Sequence, residues 1–325
     1  MSIPDDFLRI LVRDGVVSGP QARLIPLAGG VSSDIFRVQD GQTSFVVKRA
    51  LPRLRVQDEW LVDVSRNRYE HEYLRYVGRF LPDAVPAILS VNDDAGYFAM
   101  EYLDHAFINW KQQLLGGEFC VERARRAGEV LGTIHHHSKG DADAARRFDS
   151  TDNFHQLRTD PYLLTTARRH PPLAALLCAE AKRLDGTHQC LVHGDYSPKN
   201  ILWHGDRMII LDCEVAWYGD PAFDVAFLLN HLYLKALYHA PLGAEIAEMI
   251  DEAWRGYSRA VDDRALRDQV ADRLSRLLLM LLLARIDGKS PAEYLADDTK
   301  KDFARRFVHQ QLAGGDRTLP DLTPR

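Results

Sequence analysis

The chain has 325 residues, of which 46% are hydrophobic and 27% are charged, and its formal net charge is −5. This composition is typical of globular proteins and leaves room for two lobes with separate cores. No basic block indicates nucleic-acid binding, and the longest aliphatic run is much shorter than the ~20 residues of a membrane-spanning helix. The four cysteines show no metal-ligand or disulfide spacing, and the N-terminus lacks a signal-peptide core. We therefore expect a cytoplasmic protein.

The first hundred residues are predicted to be rich in β-strands. Apolar periodicity and turn residues predict a helix, three strands, a second helix and two further strands. These elements span 5–18, 23–27, 34–38, 44–49, 61–80, 87–91 and 97–103. The Asp40-Gly41 pair between the second and third strands is typical of a tight hairpin turn.

Lys48 is the odd residue in an otherwise apolar strand. Side-chain alternation puts it on the face opposite Val47. A surface lysine would explain this pattern, and so would a lysine that reaches the phosphates of a nucleotide. The following helix carries Glu70 and Glu72, either of which could pair with Lys48 and hold it toward a nucleotide. We favour Glu70; the alternative is that both glutamates belong to a solvated face.

From about residue 105 onward the pattern is mostly helical. Six helices are predicted there, over 119–136, 161–184, 222–239, 243–260, 264–287 and 291–312. Asp220 is expected to cap the third of these helices, with Pro221 at its first position. The run His135-His136-His137 invites a metal site. However, three consecutive helical residues point in different directions and cannot face one ion, so we favour a helix-end cluster.

The most informative segment runs from 191 to 214 and contains Asp195, Asn200, Asp212 and Glu214. Two apolar, strand-like runs, separated by a turn at Gly205, predict a β-hairpin between the asparagine and the second aspartate. Such a hairpin brings its two outer ends together. We therefore expect Asn200 and Asp212 to lie side by side.

These residue types suit phosphoryl transfer. An amide oxygen and a carboxylate are the hard ligands that Mg²⁺ prefers. Asp195, on the loop that enters the hairpin, could accept a proton from a substrate hydroxyl. An aspartate five residues before an asparagine, then a hairpin and a second aspartate, is the layout of a kinase catalytic loop. A hairpin with polar ends is the alternative, since Asp and Asn are common in turns, but the joint pattern favours a phosphotransferase site.

With these residues in hand, the chain resembles the aminoglycoside phosphotransferase-like kinases over about residues 25–290, and within them it is most similar to the methylthioribose kinases. The similarity rests on three segments: 48–56 with Trp60, 66–74 and 212–224. The resemblance implies an α+β, two-lobed protein-kinase-like fold. It has a small β-rich N-lobe over 1–103 and a larger, mainly helical C-lobe over 104–325.

The resemblance also implies roles for individual residues. Asp195 matches the catalytic aspartate, and Asp224 matches an aspartate that braces the catalytic loop. The metal ligands implied are Asn200, Asp212 and Glu214. The nucleotide-binding residues implied are Lys48, Glu70, Gly29, Gly30, Ser32, Glu101 and Leu103, where the glycines and serine belong to a loop that covers the phosphates and the last two residues to an adenine hinge. Arg285 lies where methylthioribose kinases carry two arginines that grip the sugar.

The function implied is Mg²⁺-dependent transfer of the ATP γ-phosphoryl group to a hydroxyl of a small molecule, either a sugar or a nucleoside-like compound. An aminoglycoside or choline-like amino-alcohol is an alternative acceptor. A nucleotide-binding pseudokinase that acts as a regulatory module is an alternative of another class. The predicted helix at Asp220-Pro221 follows Asp212 almost at once, which argues against a protein substrate. We expect a monomer or homodimer without nucleic-acid or membrane partners.

Overall fold

The computed structural model describes residues 5–27, 33–50, 66–240 and 243–314. The chain divides into two compact units, Met1–Phe107 and Ile108–Arg325. Within the described ranges, no helix combines the length and the apolar character that crossing a bilayer would demand.

The described part of the first unit is a five-stranded sheet with two α-helices. The elements are α1 (Asp5–Arg13), β1 (Arg23–Pro26), β2 (Ser33–Asp40), β3 (Thr43–Ala50), α2 (Arg66–Val77), β4 (Ile88–Asn92) and β5 (Tyr97–Glu101), with a 3₁₀ turn over Pro82–Ala84. Helix α1 ends five residues earlier than predicted. Gly15 adopts a φ of +69°, which L-residues with a side chain rarely take. The backbone N–H of Val16 then donates to the carbonyl of Leu11 at 2.9 Å, which ends the helix.

The sheet has the strand order β1-β2-β3-β5-β4, and its strand pairs are antiparallel. Its buried apolar face packs against Phe7 and Leu11 of α1 and includes Val38 and Val47, which are fully buried. Burying a side chain of this kind stabilises a fold by about 1.5–3 kcal/mol. Since side chains alternate along β3, Lys48 points away from this core and toward α2.

The described part of the second unit is mainly helical. Its helices are α3 (Trp110–Leu115), α4 (Val121–Ser138), α5 (Ala142–Arg147), α6 (Thr151–Phe154), α7 (Thr165–Arg169), α8 (Ala174–Asp185), α9 (Ala222–His239), α10 (Gly243–Ala260), α11 (Arg264–Asp287) and α12 (Asp298–Ala313), with a π-helix over His155–Leu164 and 3₁₀ turns over Pro171–Leu173 and Pro198–Asn200. Its short strands are β6 (Ile108–Asn109), β7 (Cys190–Val192), β8 (Ile201–His204), β9 (Arg207–Ile210) and β10 (Trp217–Gly219).

The helix predicted over 161–184 is wrong as a single element. A π-helix occupies the start of this range, α7 ends at Arg169, and a 3₁₀ turn begins at Pro171 before α8. Prolines at 171 and 172 cannot donate backbone hydrogen bonds and restrict the residue before them, which explains the break. The last helix begins at Asp298, later than predicted, because the side chain of Asp297 caps it by accepting from the N–H of Thr299 at 2.8 Å.

Helix α9 lies in the interior of the second unit and is buried from Ala222 to Ala236. It packs along α11 and α10. The N-cap position falls one residue later than predicted, on Pro221 and not on Asp220, and the side chain of Asp220 accepts from the N–H of Ala222 at 3.0 Å. Four of the buried side chains of α9 are polar or charged: Asp224, Asn230, His231 and Lys235.

The three histidines 135–137 lie in the last turn of α4. His135 is buried, and its Nδ1 lies 3.1 Å from the hydroxyl of Tyr257, whereas His136 and His137 are exposed. The side chains therefore point in different directions, as expected for a helix-end cluster.

Candidate active site

The predicted hairpin is confirmed. β8 and β9 pair antiparallel from Ile201 opposite Ile210 to the turn at Gly205. The ladder continues one step further, because the N–H of Leu211 donates to the carbonyl of Asn200 at 2.9 Å. Asn200 and Asp212 therefore lie at the same end of the hairpin. Asp212 has a φ of +62°, a conformation that no other non-glycine residue adopts in the described ranges. Such backbone strain concentrates at functional sites.

The loop before the hairpin is held by a buried hydrogen-bond network. The carboxylate of Asp224, which is fully buried, accepts from the N–H of His193 at 2.6 Å and from the N–H of Gly194 at 3.0 Å. Nε2 of His193 donates to the carbonyl of Leu211 at 3.1 Å, and its Nδ1 accepts from the N–H of Asp195 at the same distance. Burial lowers the pKa of His193, so it stays neutral in this arrangement. These bonds are the ones expected of an aspartate that braces the loop.

Gly194 cannot be replaced without moving this loop. Its φ is +76°, and a Cβ atom there would lie 2.5 Å from the carbonyl oxygen of Val215. The backbone therefore approaches the segment after Asp212 more closely than any side chain allows. This close approach fixes the position of Asp195, the next residue in the chain.

Two cations surround the carboxylate of Asp195. Nη2 of Arg158 lies 3.3 Å from its Oδ2, and Nζ of Lys199 lies 3.6 Å from the same atom. Lys199 also lies 3.8 Å from Oδ2 of Asp212. Burial opposes the charge of Arg158, but Asp195 and neighbouring acidic groups raise its pKa. The pKa of Lys199 is also raised, chiefly by the negative charge of Asp195. Asp195 and Asp212 thus converge on a single ammonium group.

The predicted metal ligands have donor atoms that fit Mg²⁺. Nδ2 of Asn200 donates to the carbonyl of Asp195 at 3.0 Å, so its Oδ1 is left to face another partner. Asp212 supplies a carboxylate beside it, and Glu214 lies two residues further along the same segment. In the described ranges, no group of three or more His, Cys, Asp or Glu side chains is arranged to hold a metal. Amide and carboxylate oxygens are the donor types that Mg²⁺ takes together with phosphate and water.

In the first unit, Lys48 and Glu70 form a buried ion pair. Nζ of Lys48 lies 2.8 Å from Oε1 and 2.7 Å from Oε2 of Glu70. The two residues are 4% and 3% exposed, respectively. Of the two glutamates considered, α2 therefore turns Glu70 and not Glu72 toward the lysine. Both oxygens share one ammonium group, which holds Lys48 in a single direction.

Of the remaining nucleotide-binding predictions, Glu101 is the last residue of β5 and Leu103 lies just beyond it. The N–H of Glu101 donates to the carbonyl of Ala87 at 2.8 Å, and Leu103 follows β5 in a segment without regular structure. Strand β5 is thus two residues shorter than predicted. The loop residues Gly29, Gly30 and Ser32 lie outside the described residues, and so does Trp60.

The predicted substrate residue, Arg285, is 8% exposed near the C-terminal end of α11. Its Nη1 donates to Oγ of Ser290 at 2.9 Å and approaches the hydroxyl of Tyr162 at 3.4 Å. It is not ion-paired with any carboxylate of the described residues. Its Nε is buried without a hydrogen-bond partner.

Sequence reasoning missed the two cations around Asp195. Lys199 lies inside the catalytic motif, directly before Asn200, so its charge was a usable local signal. Arg158 gave no local signal in the sequence. It lies far from Asp195 along the chain, and its place in the π-helix brings it close in space.

The family comparisons agree with this geometry. Residues 23–268 match the phosphotransferase enzyme family. The chain is 25% identical to a methylthioribose kinase of Pectobacterium atrosepticum, over 94% of this chain and 80% of that protein. It is 24% identical to a methylthioribose kinase of Bacillus cereus, over 62% of this chain and 58% of that protein.

Solved structures share the fold. An amicoumacin kinase in complex with AMP-PNP and Ca²⁺ has a TM-score of 0.55 and 15% identity, and the match covers 93% of this chain and 92% of that one. A choline/ethanolamine kinase family protein from Mesorhizobium loti has a TM-score of 0.52 and 16% identity, over 94% and 93% of the two chains. At these identities the likeness establishes the fold. The predicted α+β, protein-kinase-like fold is confirmed.

The family match and the methylthioribose kinase relatives identify an ATP-dependent small-molecule kinase, as the sequence predicted. The chain belongs to the phosphotransferase enzyme family.

Proposed function

We propose that the protein transfers the γ-phosphoryl group of Mg·ATP to a hydroxyl of a small, sugar-like molecule. One observation carries this proposal: Asp195 and Asp212 converge on Lys199, at the end of the hairpin where Asn200 also lies. A base for the acceptor hydroxyl and oxygen ligands for Mg²⁺ thereby stand side by side, which is the arrangement that phosphoryl transfer requires.

Asp195 is proposed to accept the proton of the acceptor hydroxyl. Its neighbours Arg158 and Lys199 keep its carboxylate oriented and supply positive charge where negative charge develops. Asn200, Asp212 and Glu214 would hold Mg²⁺, which neutralises the phosphate charge when it is bound. Since phosphoryl transfer passes through a loose transition state, positioning and charge neutralisation should supply most of the acceleration.

Lys48 is proposed to anchor the α- and β-phosphates, and Glu70 to hold it in place. Glu101 and Leu103 are proposed to offer backbone groups to adenine, and Gly29, Gly30 and Ser32 to cover the phosphates. The ion pair supports this role for Lys48, because both carboxylate oxygens of Glu70 lie less than 3 Å from its ammonium group and fix the direction in which it points.

The alternative functions are less well supported. A pseudokinase would be expected to lack one of Asp195, Asn200 or Asp212, and all three are present around the hairpin. A cationic amino-alcohol acceptor would have to approach Asp195 beside the guanidinium of Arg158. A sugar-like acceptor carries no such electrostatic penalty.

The first test is a coupled ADP-release assay with Mg·ATP against methylthioribose, pentoses, nucleosides, aminoglycosides and amino-alcohols. We expect one acceptor class to give turnover, and Asp195→Ala to reduce kcat by about 10²–10⁴-fold, the usual contribution of a general base. Binding of Mg·ATP should persist in this variant.

A matched control comes from the same hairpin. Asp206 lies in the exposed turn between β8 and β9, away from the site. Asp206→Asn should retain wild-type turnover. Full activity of Asp195→Ala, or equal losses in both variants, would overturn the assignment of Asp195.

A further inference from the structure

A second set of basic side chains lies in the interior of the second unit, and the proposed phosphoryl transfer does not use it. Lys235 of α9 is fully buried, Arg285 of α11 is 8% exposed, and His231 lies one helical turn before Lys235. We call these three residues the cation cluster. In the described part of the chain, neither Lys235 nor Arg285 is ion-paired with a carboxylate.

The contacts of Lys235 are those of a charge without a counter-ion. Its Nζ donates to the hydroxyl of Tyr294 at 2.7 Å and lies 3.9 Å from the centre of that ring. Lys111 approaches the same ring at 5.6 Å and is paired with Glu293, so within the described residues this nearby carboxylate forms its ion pair with Lys111 and not with Lys235 or Arg285. A buried charge normally carries a paired opposite charge, because desolvation is costly.

Two further groups in the cluster have unused hydrogen-bonding capacity. Nε of Arg285 is buried without a partner. The imidazole of His231 contacts the ring of Phe227 at 5.0 Å and makes no hydrogen bond to the described residues. Burial and the surrounding cations lower the pKa of His231 well below its usual range, so the ring is neutral and can donate one N–H.

A chain of contacts connects this cluster to the catalytic loop. The guanidinium of Arg158, which holds Asp195, lies 5.9 Å from the ring centres of both Tyr162 and Phe227. The guanidinium of Arg285 lies 6.0 Å from the centre of the same Tyr162 ring. Arg158 and the ring of Tyr162 are thus the two links between Arg285 and the proposed base.

We propose that the cation cluster binds an anionic group of the phosphoryl acceptor, so that the substrate is an acidic polyol whose carboxylate or phosphate meets Lys235, Arg285 and His231 while its hydroxyl meets Asp195. This inference rests on the proposed kinase function and deepens it. It argues against the cationic amino-alcohols, which would place a positive charge beside the guanidinium of Arg285 and would not favour the charged form of Lys235.

The test compares acceptors that differ only in charge. Wild-type protein is assayed for transfer from [γ-³²P]ATP to glucose, gluconate, glucose 6-phosphate and glucosamine, and to the set ribose, ribonate and ribose 5-phosphate. We expect at least one acidic member to exceed its neutral parent in kcat/KM by about 10-fold or more, corresponding to about 1.4 kcal/mol. The carboxylate and phosphate arms show which acid the cluster takes. A preference for the neutral or cationic member would overturn the proposal.

Two variants assign the preference to the cluster. Lys235→Met and Arg285→Gln should each lower the acidic-to-neutral ratio of kcat/KM by about 10-fold. The matched control is Lys182→Met, an exposed lysine on α8, which should keep the wild-type ratio. A ratio that survives in both cluster variants would overturn the proposal.

A binding measurement on the wild-type protein does not depend on turnover or on how the variants fold. Titration calorimetry with gluconate and with glucose 6-phosphate at pH 8, in two buffers of different ionisation heat, should show proton uptake on binding. The reason is that an anion favours the charged form of a buried lysine. A purely structural lysine would give none, and the absence of binding by both acids would overturn the proposal.

The two proposals can fail separately. Acid binding with proton uptake, but no phosphoryl transfer to any acceptor, would overturn the kinase function and leave the anion site standing. Transfer to a neutral or cationic acceptor in preference to its acidic partner would overturn the anion site and leave the kinase function standing.

Discussion

Lys48 in the first unit and Lys235 in the second are both buried lysines, but their surroundings differ. Lys48, 4% exposed, shares its ammonium group with both carboxylate oxygens of Glu70. Lys235, fully buried, has a phenol hydroxyl and the face of an aromatic ring. A charge that the fold itself neutralises can serve as a fixed anchor. A charge that the fold leaves without a counter-ion instead points to a ligand, because the fold alone gives no reason to bury it.

The largest loss of stability is expected when one partner of the Lys48–Glu70 ion pair is removed. Glu70→Ala leaves the ammonium group of Lys48 buried without this carboxylate, which should lower the free energy of unfolding by about 3–5 kcal/mol. Urea denaturation measures this loss. The Glu70→Ala substitution should also weaken Mg·ATP binding, since Lys48 loses its fixed direction.

The double variant Lys48→Met/Glu70→Leu sharpens this test. Replacing both partners by apolar side chains of similar size should recover most of the stability, because no buried charge remains in the pair. Activity should not recover. If Glu70→Ala were as stable as wild type, the pair would not be buried as described.

The carboxylate of Asp224 is a second charge whose hydrogen bonds are satisfied by the fold. Asp224→Asn turns one acceptor into a donor facing the N–H groups of His193 and Gly194. We expect a loss of about 2–3 kcal/mol, the scale of a hydrogen bond to a charged group, together with a fall in kcat. Thermal unfolding and steady-state kinetics check both. An unchanged kcat would contradict the bracing role.

For Lys235 we expect the free energy of unfolding to rise on substitution and not to fall. Lys235→Met removes a buried charge without orphaning a carboxylate, so it should stabilise the protein. Burial, with Lys111 and Arg285, lowers the pKa of Lys235 to about 7 from an ordinary value of 10.5. A tenfold difference in proton affinity between the folded and the unfolded chain corresponds to about 1.4 kcal/mol. The variant also loses the hydrogen bond to Tyr294. With this loss subtracted, we expect the free energy of unfolding of Lys235→Met to exceed that of wild type by about 2 kcal/mol at pH 6.

This gain should depend on pH. Between about pH 7 and 10.5 the unfolded chain binds more protons at this lysine than the folded protein does, so wild-type stability rises with pH across that window. The advantage of Lys235→Met is therefore greatest below pH 7 and vanishes above pH 10.5. Denaturation curves of both proteins at pH 6, 8 and 10 measure it. A constant difference would show that Lys235 titrates normally.

The smallest effect is expected for an exposed pair. Arg264 and Asp268 lie one turn apart at the start of α11, and their side chains are 86% and 67% exposed. Arg264→Gln should leave the thermal midpoint unchanged within error, because solvent screens such pairs. A loss comparable to that of Glu70→Ala would mean that burial is not what makes the Lys48 pair matter.

The local geometry of the catalytic loop could be predicted from the sequence. Asp195, Asn200 and Asp212 are close in sequence, and the alternation and turn residues between them fix the hairpin and hence their approach. The choice of Glu70 over Glu72 is also local, because one position on a helix decides which side chain faces the sheet. The break at Pro171 was equally visible in the sequence, and the prediction of one helix over 161–184 gave too little weight to two consecutive prolines.

The surroundings of the buried charges were decided by tertiary structure alone. Lys235 and Tyr294 are 59 positions apart, and Arg158 reaches Asp195 from a different helix. Periodicity places these residues on helices and in loops but does not show which side chain neutralises which. The hairpin between Asn200 and Asp212 and the resemblance to the phosphotransferases follow from residues that are close together in the chain. Whether a buried lysine meets a carboxylate or only a phenol depends on how distant helices pack, because charge pairing is set by distance in space.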